Sequence, residues 1–195
     1  EGISIHIRNT NAPQENGTII CQALKPEEEV PITGIAGRRN FAAVNIAKNC
    51  MNSEPGFCKK LLEAFEENEI SFEHMPSGID TVSVILPKEA YEQKEDAIMA
   101  SLNRLLAPDK IEVDRDMALV TVVGKGMRSV SGIAATFFSS LGAANVNIKM
   151  IDMGSNEVNC TIGVKNEDFE QAIRALYYAL VEPERAGGVV GTGTV

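Results

Sequence analysis

The sequence predicts an α+β fold assembled from two βαββαβ units with antiparallel sheets and the helices on one face. Three observations carry this. The heptapeptide MNSEPGF at 51–57 is echoed by MRSVSGI at 127–133. Sliding the chain on itself so that Phe41 lies on Met117 extends the match, without a gap, to Leu86 on Ile162, with Val44/Val120, Met51/Met127, Ser53/Ser129, Gly56/Gly132, Gly78/Gly154 and Val82/Val158 identical. Apolar character also agrees where identity is lost, at Ile46/Val122, Leu61/Phe137, Phe65/Leu141 and Phe72/Ile148. A shared spacing of apolar positions is what two copies of one packed unit keep.

Before the repeat, GISIHIRNT alternates like a strand, NAPQENG is a turn, and EVPITGIAG reads as another short strand. FAAVNIAKN at 41–49 is a buried strand. Ser53 is an N-cap type, and Glu54 and Pro55 suit a first turn. Phe57, Leu61 and Phe65, with Cys58 and Leu62, then recur at spacings of three and four, so 54–68 is predicted to be an amphipathic helix. ISFEHM (70–75) and TVSVIL (81–86) flank a Pro-Ser-Gly break as a hairpin, with Ile70, Phe72 and His74 facing one way. Residues 88–106 place Tyr91, Ile98, Leu102, Leu105 and Leu106 on one helical face, Pro108 stops that helix, and IEVDRD follows as a strand. The second copy repeats the order with ALVTVVG (118–124), a helix over about 130–143, VNIKMID, EVNCTIGV, and a helix opening on Asn166, Glu167 and Asp168. GGVVGTGTV is either its last strand or a frayed tail. Each unit is of the ferredoxin-like type.

Composition excludes several classes of function. A net charge of −9 with only 18 Lys and Arg argues against a phosphate-neutralising nucleic-acid surface. No apolar run approaches the roughly 20 residues that cross a bilayer, and no signal pattern opens the chain, so a cytoplasmic protein without membrane contact is expected. Cys21, Cys50, Cys58 and Cys160 show no CxxC spacing and have only His6 and His74 as companions, so they are expected to be buried or half-buried thiols, with no metal site. GxxxxGK[ST], GxGxxG after a strand, GxSxG and HExxH are all missing, and no catalytic residue is predicted.

The chemistry on offer is the doubled strand-to-helix turn, with Ser53 and Gly56 in one copy and Ser129 and Gly132 in the other. A helix N-terminus presents unpaired N–H groups, and a glycine lets a ligand carboxylate approach them, which suits the α-carboxylate of an amino acid. Ser as a cap and Gly for packing explain the same letters without a ligand. Glu73, expected beside that turn, and Asp80 in the hairpin are candidates to receive an ammonium group. Glu73 also reads as a solvent-facing strand residue. Asn145 and Asn147 flank Val146 as possible amide ligands, or simply end a helix and line an edge; Met127, Met150 and Met153 read as core or interface filler.

VPITGIAGRRNFAAVNI, MNSEPGF, ISFEHMPSGIDTVSVIL and VTVVGKGMRSVSGIAATFFSSLGAANVNIKMIDMGSNEVNCTIGV together resemble the C-terminal regulatory region of aspartate kinases, with its tandem ACT domains. GISIHIRNT and NGTII resemble the closing segment of that family's kinase domain, whose N-terminal Lys-Phe-Gly-Gly stretch is absent here. The resemblance implies three segments: 1–30 as the end of the kinase domain, 40–115 as a first ACT domain, and 31–37 plus 116–195 as a second. It implies that the intact enzyme phosphorylates the β-carboxylate of aspartate with ATP and Mg, and that these domains dimerise and bind lysine, threonine or both to inhibit it. The family's effector contacts fall on Met51, Ser53, Gly56, Phe57, Cys58, Ser71, Phe72, Glu73, Asn147 and Ile148. The family often has Asp at the place of Ser53, and PSGID at 76–80 replaces a more compact Thr/Ser-Glu pattern of lysine-sensitive members, so the ammonium partner falls to Glu73, Asp80 or both. Two candidate carboxylates favour lysine. Threonine binding, or modules that only join subunits, are the alternatives.

Overall fold

The computed structural model describes residues 3–20 and 31–182. Cys21, the first two residues of EVPITGIAG and the tail GGVVGTGTV lie outside the described residues. An N-terminal ribbon pairs β1 (Ile5–Ile7) with β2 (Thr18–Ile20) antiparallel. The body of the fold follows as β3 (Gly34–Ala47), α1 (Phe57–Glu66), β4 (Thr81–Pro87), α2 (Lys88–Glu92), α3 (Glu95–Leu106), β5 (Lys110–Val123), α4 (Ile133–Ala143), β6 (Met150–Asp152), β7 (Asn159–Val164) and α5 (Phe169–Leu180).

Two long strands organise everything else. The sequence reading breaks 31–49 and 111–124 into four strands, whereas β3 and β5 are each continuous over 14 residues, and the bounds of β5 are those of β3 displaced by the repeat offset. They pair antiparallel at the centre of one five-stranded sheet, in the order β4-β3-β5-β7-β6, so the two units share a sheet instead of forming two. The first half of β3 pairs with the second half of β5 (Ile35 with Val122), and the second half of β3 with the first half of β5 (Ile46 with Ile111). Each unit therefore takes its closing strand from the strand that opens the other. IEVDRD lies against β3 in the first unit, and Gly34–Arg38 lies in the second.

Where the halves meet, each strand carries a bulge. β3 holds one extra residue between Arg38 and Phe41, and β5 one between Asp114 and Met117, on either side of the Phe41–Met117 pair. Strand side chains alternate with a period of two, so an extra residue flips the facing of all that follows. Consequently Ile35 and, beyond the bulge, Ala42, Val44 and Ile46 all face the helices, as do Ile111 and Val113 before the bulge in β5 and Ala118, Val120 and Val122 after it. Among the described residues all the helices thus cover one face. Asn40 takes φ 66° in the β3 bulge, and its N–H donates to Asn166 Oδ1 at 2.9 Å.

Two apolar cores lie between the sheet and the helices. In the first, α1 buries Phe57, Leu61, Ala64 and Phe65 at helical spacing against Ile98, Leu102 and Leu106 of α3 and Val82, Val84 and Leu86 of β4. In the second, Phe137 and Leu141 of α4 meet Ala172 and Leu176 of α5 over Val120, Val122 and Ile162. Truncating one such side chain, Leu61→Ala for instance, costs about 2–5 kcal/mol. Met127 and Met150 are buried and Met153 packs on the second core, as their reading as filler expects.

Several expectations change in detail. The helix expected over 88–106 breaks at Gln93–Lys94. Asn166 and Glu167 precede α5, whose first helical residue is Phe169. ISFEHM forms no full strand; the segment 73–78 meets β4 through isolated bridges at His74–Ile85 and Ser77–Val82 and scattered backbone hydrogen bonds such as Glu73 N–H to Ile85 C=O. Its alternation fails as well, because Ile70 and Met75 pack on the first core while His74 turns to Asp152 of β6, with Nδ1 2.6 Å from Oδ2.

Candidate functional site

β3 ends at Ala47, and the chain makes a 3-10 turn over Met51–Ser53 before α1. Ser53 does not cap the helix: its hydroxyl donates to Asn52 Oδ1 at 3.3 Å, and the capping position is Gly56, with φ 82° and ψ 8°. Gly132 takes the same place before α4 with φ 82° and ψ 0°. A Cβ at either glycine would meet no atom within 4 Å. Glycine is therefore required for the left-handed backbone and not for close packing.

The turn is braced from three sides. Asp80 Oδ1 accepts the Cys50 N–H at 2.9 Å, Ile79 C=O accepts the Asn52 N–H at 3.1 Å, and Asp80 C=O accepts the Lys48 N–H at 2.9 Å. Glu54 lies between the Lys48 and Lys60 ammonium groups, 2.7 Å from each, and the hydrogen bond from Lys48, then that from Lys60, holds its carboxyl at about 2. Lys48 also donates to Leu106 C=O at 2.6 Å and sits 5.6 Å from the centre of the Phe57 ring.

Beside this turn lies a cavity of about 330 Å³, lined by Met51, Asn52, Glu54, Gly56, Phe57, Cys58, Lys59, Ser77 and Gly78. The first residues of α1, Phe57, Cys58 and Lys59, line it; a helix leaves its first N–H groups without acceptors of its own, and here the Phe57 N–H donates to Glu54 C=O at 3.2 Å. Of the residues singled out in the sequence, Met51, Gly56, Phe57 and Cys58 line it. Ser53 is exposed on the turn, and Asp80 is the brace behind it, engaged by backbone.

Ser71, Phe72 and Glu73 are elsewhere on this chain. Glu73 N–H donates to Ile85 C=O at 2.7 Å, towards the end of β4 remote from the turn, and the Glu73 carboxylate pairs with Arg38 at 2.7 Å. All three are exposed along the sheet edge. Asn147 and Ile148 lead into β6 at the opposite edge of the sheet. Asn145 follows α4 with φ 54°, its N–H donating to Gly142 C=O at 2.9 Å. Asn52, Glu54, Lys59, Ser77 and Gly78 line the turn cavity too, although the sequence marks none of them as an effector contact. The signal for the last two was available, because in a βαββαβ unit the hairpin after the second strand lies at the same end as the first strand-to-helix turn.

The thiols divide. Cys160 is buried, and burial, with Asp152 nearby, pushes its thiol up; Cys50 and Cys58 are exposed, contrary to the expectation of buried or half-buried thiols. Among the described residues no three His, Cys, Asp or Glu side chains are grouped to hold a metal ion, and no helix is long and apolar enough to cross a membrane.

These features define a tandem of small βαββαβ modules sharing one sheet, with a cavity at a strand-to-helix turn. Residues 120–180 match the family model for the ACT domain, and the chain resembles aspartokinases along nearly its whole length. It is 36% identical over 177 residues to Aspartokinase 3 of Bacillus subtilis, covering 90% of this chain and 39% of that protein. The crystal structure of the aspartate kinase of Clostridium acetobutylicum superposes with a TM-score of 0.83 at 44% identity, over 92% of this chain and 42% of that one. A structure of aspartokinase alpha and beta subunits gives a TM-score of 0.66 at 28% identity, over 76% of this chain and 97% of that one. The chain thus spans about two fifths of the first two relatives.

Proposed function

We propose that this chain is the allosteric regulatory region of an aspartate kinase, and that the cavity beside Gly56 holds an end-product amino acid. The carrying observation is the cavity itself, where the start of α1, a left-handed glycine and Lys59 meet. An anionic carboxylate suits that helix end. The remainder of the enzyme would transfer phosphate from ATP, with Mg, to the β-carboxylate of aspartate. The exposed Ile3, Ile5, Ile7, Ile19 and Ile20 of the N-terminal ribbon fit a surface that packs on that kinase domain.

Lysine is the effector favoured. Within one chain both carboxylates near the turn are engaged, Glu54 by two lysines and Asp80 by backbone. The edge segment 70–77 runs towards the turn, so antiparallel pairing with the same edge of a second copy would carry that copy's Ser71, Phe72 and Glu73 to this chain's Ser77–Gly78 end. The second copy's Glu73 would then supply the carboxylate for a lysine side chain. A dimer follows from this reading. The engagement of Glu54 and Asp80 is what favours the alternative, threonine, which needs no carboxylate for its side chain.

Calorimetric titration with L-lysine and, separately, L-threonine tests this. Saturable lysine binding that weakens at least about tenfold in Glu73→Ala supports the shared site. Binding of threonine alone would overturn the lysine assignment. Silence from both, with the chain still dimeric in sedimentation, would mean that these modules only join subunits.

A further inference from the structure

On the face of the sheet away from the helices, the two outer edges of the molecule meet. Pro76–Gly78 of the first unit and Lys149–Ile151 of the second line a cavity of about 400 Å³. Its floor is a separate apolar cluster in which Ala43, Ile85, Met117 and Met150 are no more than 9% exposed. At its side the Lys149 ammonium and the Asp114 carboxylate stand 2.5 Å apart, with their side chains only 17% and 32% exposed. The His74–Asp152 pair joins the same two edges next to it.

The polar groups of this cavity retain capacity for a ligand. Lys149 donates to the Asp114 carboxylate and the Asp116 carbonyl, which occupies two of its three N–H groups. Asp114 accepts from Lys149 and from the Asp116 N–H at 2.9 Å, which leaves about half of the roughly four acceptor positions of a carboxylate. Ser83 Oγ donates to Asn45 Oδ1 at 2.7 Å and so orients the Asn45 amide, whose NH₂ remains a donor. A lysine and an aspartate side by side, above an apolar floor, mirror the charges of a zwitterion that carries an apolar side chain.

We propose that this inter-unit cavity is a second small-molecule site, for an apolar α-amino acid. The ligand carboxylate meets Lys149 and the Asn45 amide, its ammonium meets Asp114, and its side chain rests on Met117, Met150 and Ile85. The site is distinct from the turn cavity. Ser77 and Gly78 line both, but Lys149, Asp114, Asn45 and Ser83 line this one and not the other.

The test is calorimetric titration of the 195-residue chain with L-leucine and L-methionine, using N-acetyl-L-leucine amide as a probe that lacks both charges. At least one amino acid should bind saturably, and the uncharged probe at least about tenfold more weakly. Lys149→Met should weaken binding by a similar factor, as should Ser83→Leu, which fills the cavity and leaves the ion pair intact. Circular dichroism identifies a variant that fails to fold; the wild-type comparison of charged and uncharged probes needs no variant. The proposal is overturned if neither amino acid binds at millimolar concentration, if the uncharged probe binds equally well, or if folded Lys149→Met and Ser83→Leu bind as the wild type does. Lysine binding that persists while leucine and methionine fail would sink this site alone and leave the effector reading standing.

Discussion

The Glu54 carboxylate lies 2.7 Å from the Lys48 ammonium, and Lys60 stands at the same distance on its other side. The pair fastens the start of α1 to the end of β3. Because its carboxyl is held at about 2, below the ordinary 4.5, the stability it contributes is fully present above about 4.5 and is lost as pH falls towards 2. In thermal melts from pH 6 to pH 2, the advantage of the wild type over Glu54→Gln should shrink across that window. A constant difference over the whole range would contradict this account.

At Gly56 the backbone is left-handed and the space around a Cβ is empty. Gly56→Ala should therefore destabilise the chain by about 1–2 kcal/mol through conformation alone. Gly56→Asn should cost less, since Asn tolerates that region. Urea denaturation of the two variants decides; equal losses would point to a steric cause. Gly132→Ala should behave alike in the second unit.

Asp80 and Glu73, paired in the sequence reading as carboxylates for one ammonium group, should separate experimentally. Asp80→Ala removes the acceptor of the Cys50 N–H and should cost about 1 kcal/mol of stability, like the loss of a helix cap. Glu73→Ala breaks an exposed pair with Arg38 and should change stability by less than about 1 kcal/mol, while weakening lysine binding. Denaturation midpoints alongside titrations of both variants give the answer.

Asn166 holds the bulge where the units join. Its side chain accepts the Asn40 N–H at 2.9 Å and donates to Asp116 Oδ1 at 2.9 Å, and its own N–H reaches the same oxygen at 3.1 Å. These bonds, the backbone one first, hold the Asp116 carboxyl below its usual range. Asn166→Ala should cost about 1–2 kcal/mol at neutral pH. Asp116 is stabilising above the ordinary carboxylate range and loses that contribution as pH falls through its depressed value, so part of the deficit should vanish in acid. Melts at pH 7 and pH 3 measure both effects.

The helices and their buried faces were legible because apolar spacing is local: Phe57, Leu61 and Phe65 lie on one side of any helix that contains them. The boundaries were less so. Glu54 and Pro55 suit a first turn, yet the left-handed Gly56 delays α1 to Phe57. The continuity of β3 and β5 was hidden by weak likeness before the repeat proper, where Ile35/Ile111 and Arg39/Arg115 agree but Gly37 lies opposite Val113. The turn half of the candidate site was visible as a repeated heptapeptide. The separation of Glu73 from it was not, since alternation along 70–75 assumes a strand that the chain does not complete.

By itself the sequence determined that the protein is a duplicated module of strands and amphipathic helices with two glycine turns, because periodicity and left-handed turn residues act over a few positions. Only the tertiary structure decided that the two units exchange closing strands in one sheet, that paired bulges turn all the helices to one face, and that Pro76–Gly78 meets Lys149–Ile151 across a cavity. Those outcomes depend on long-range strand register and on the closure of edges far apart in the chain, where no local propensity reaches.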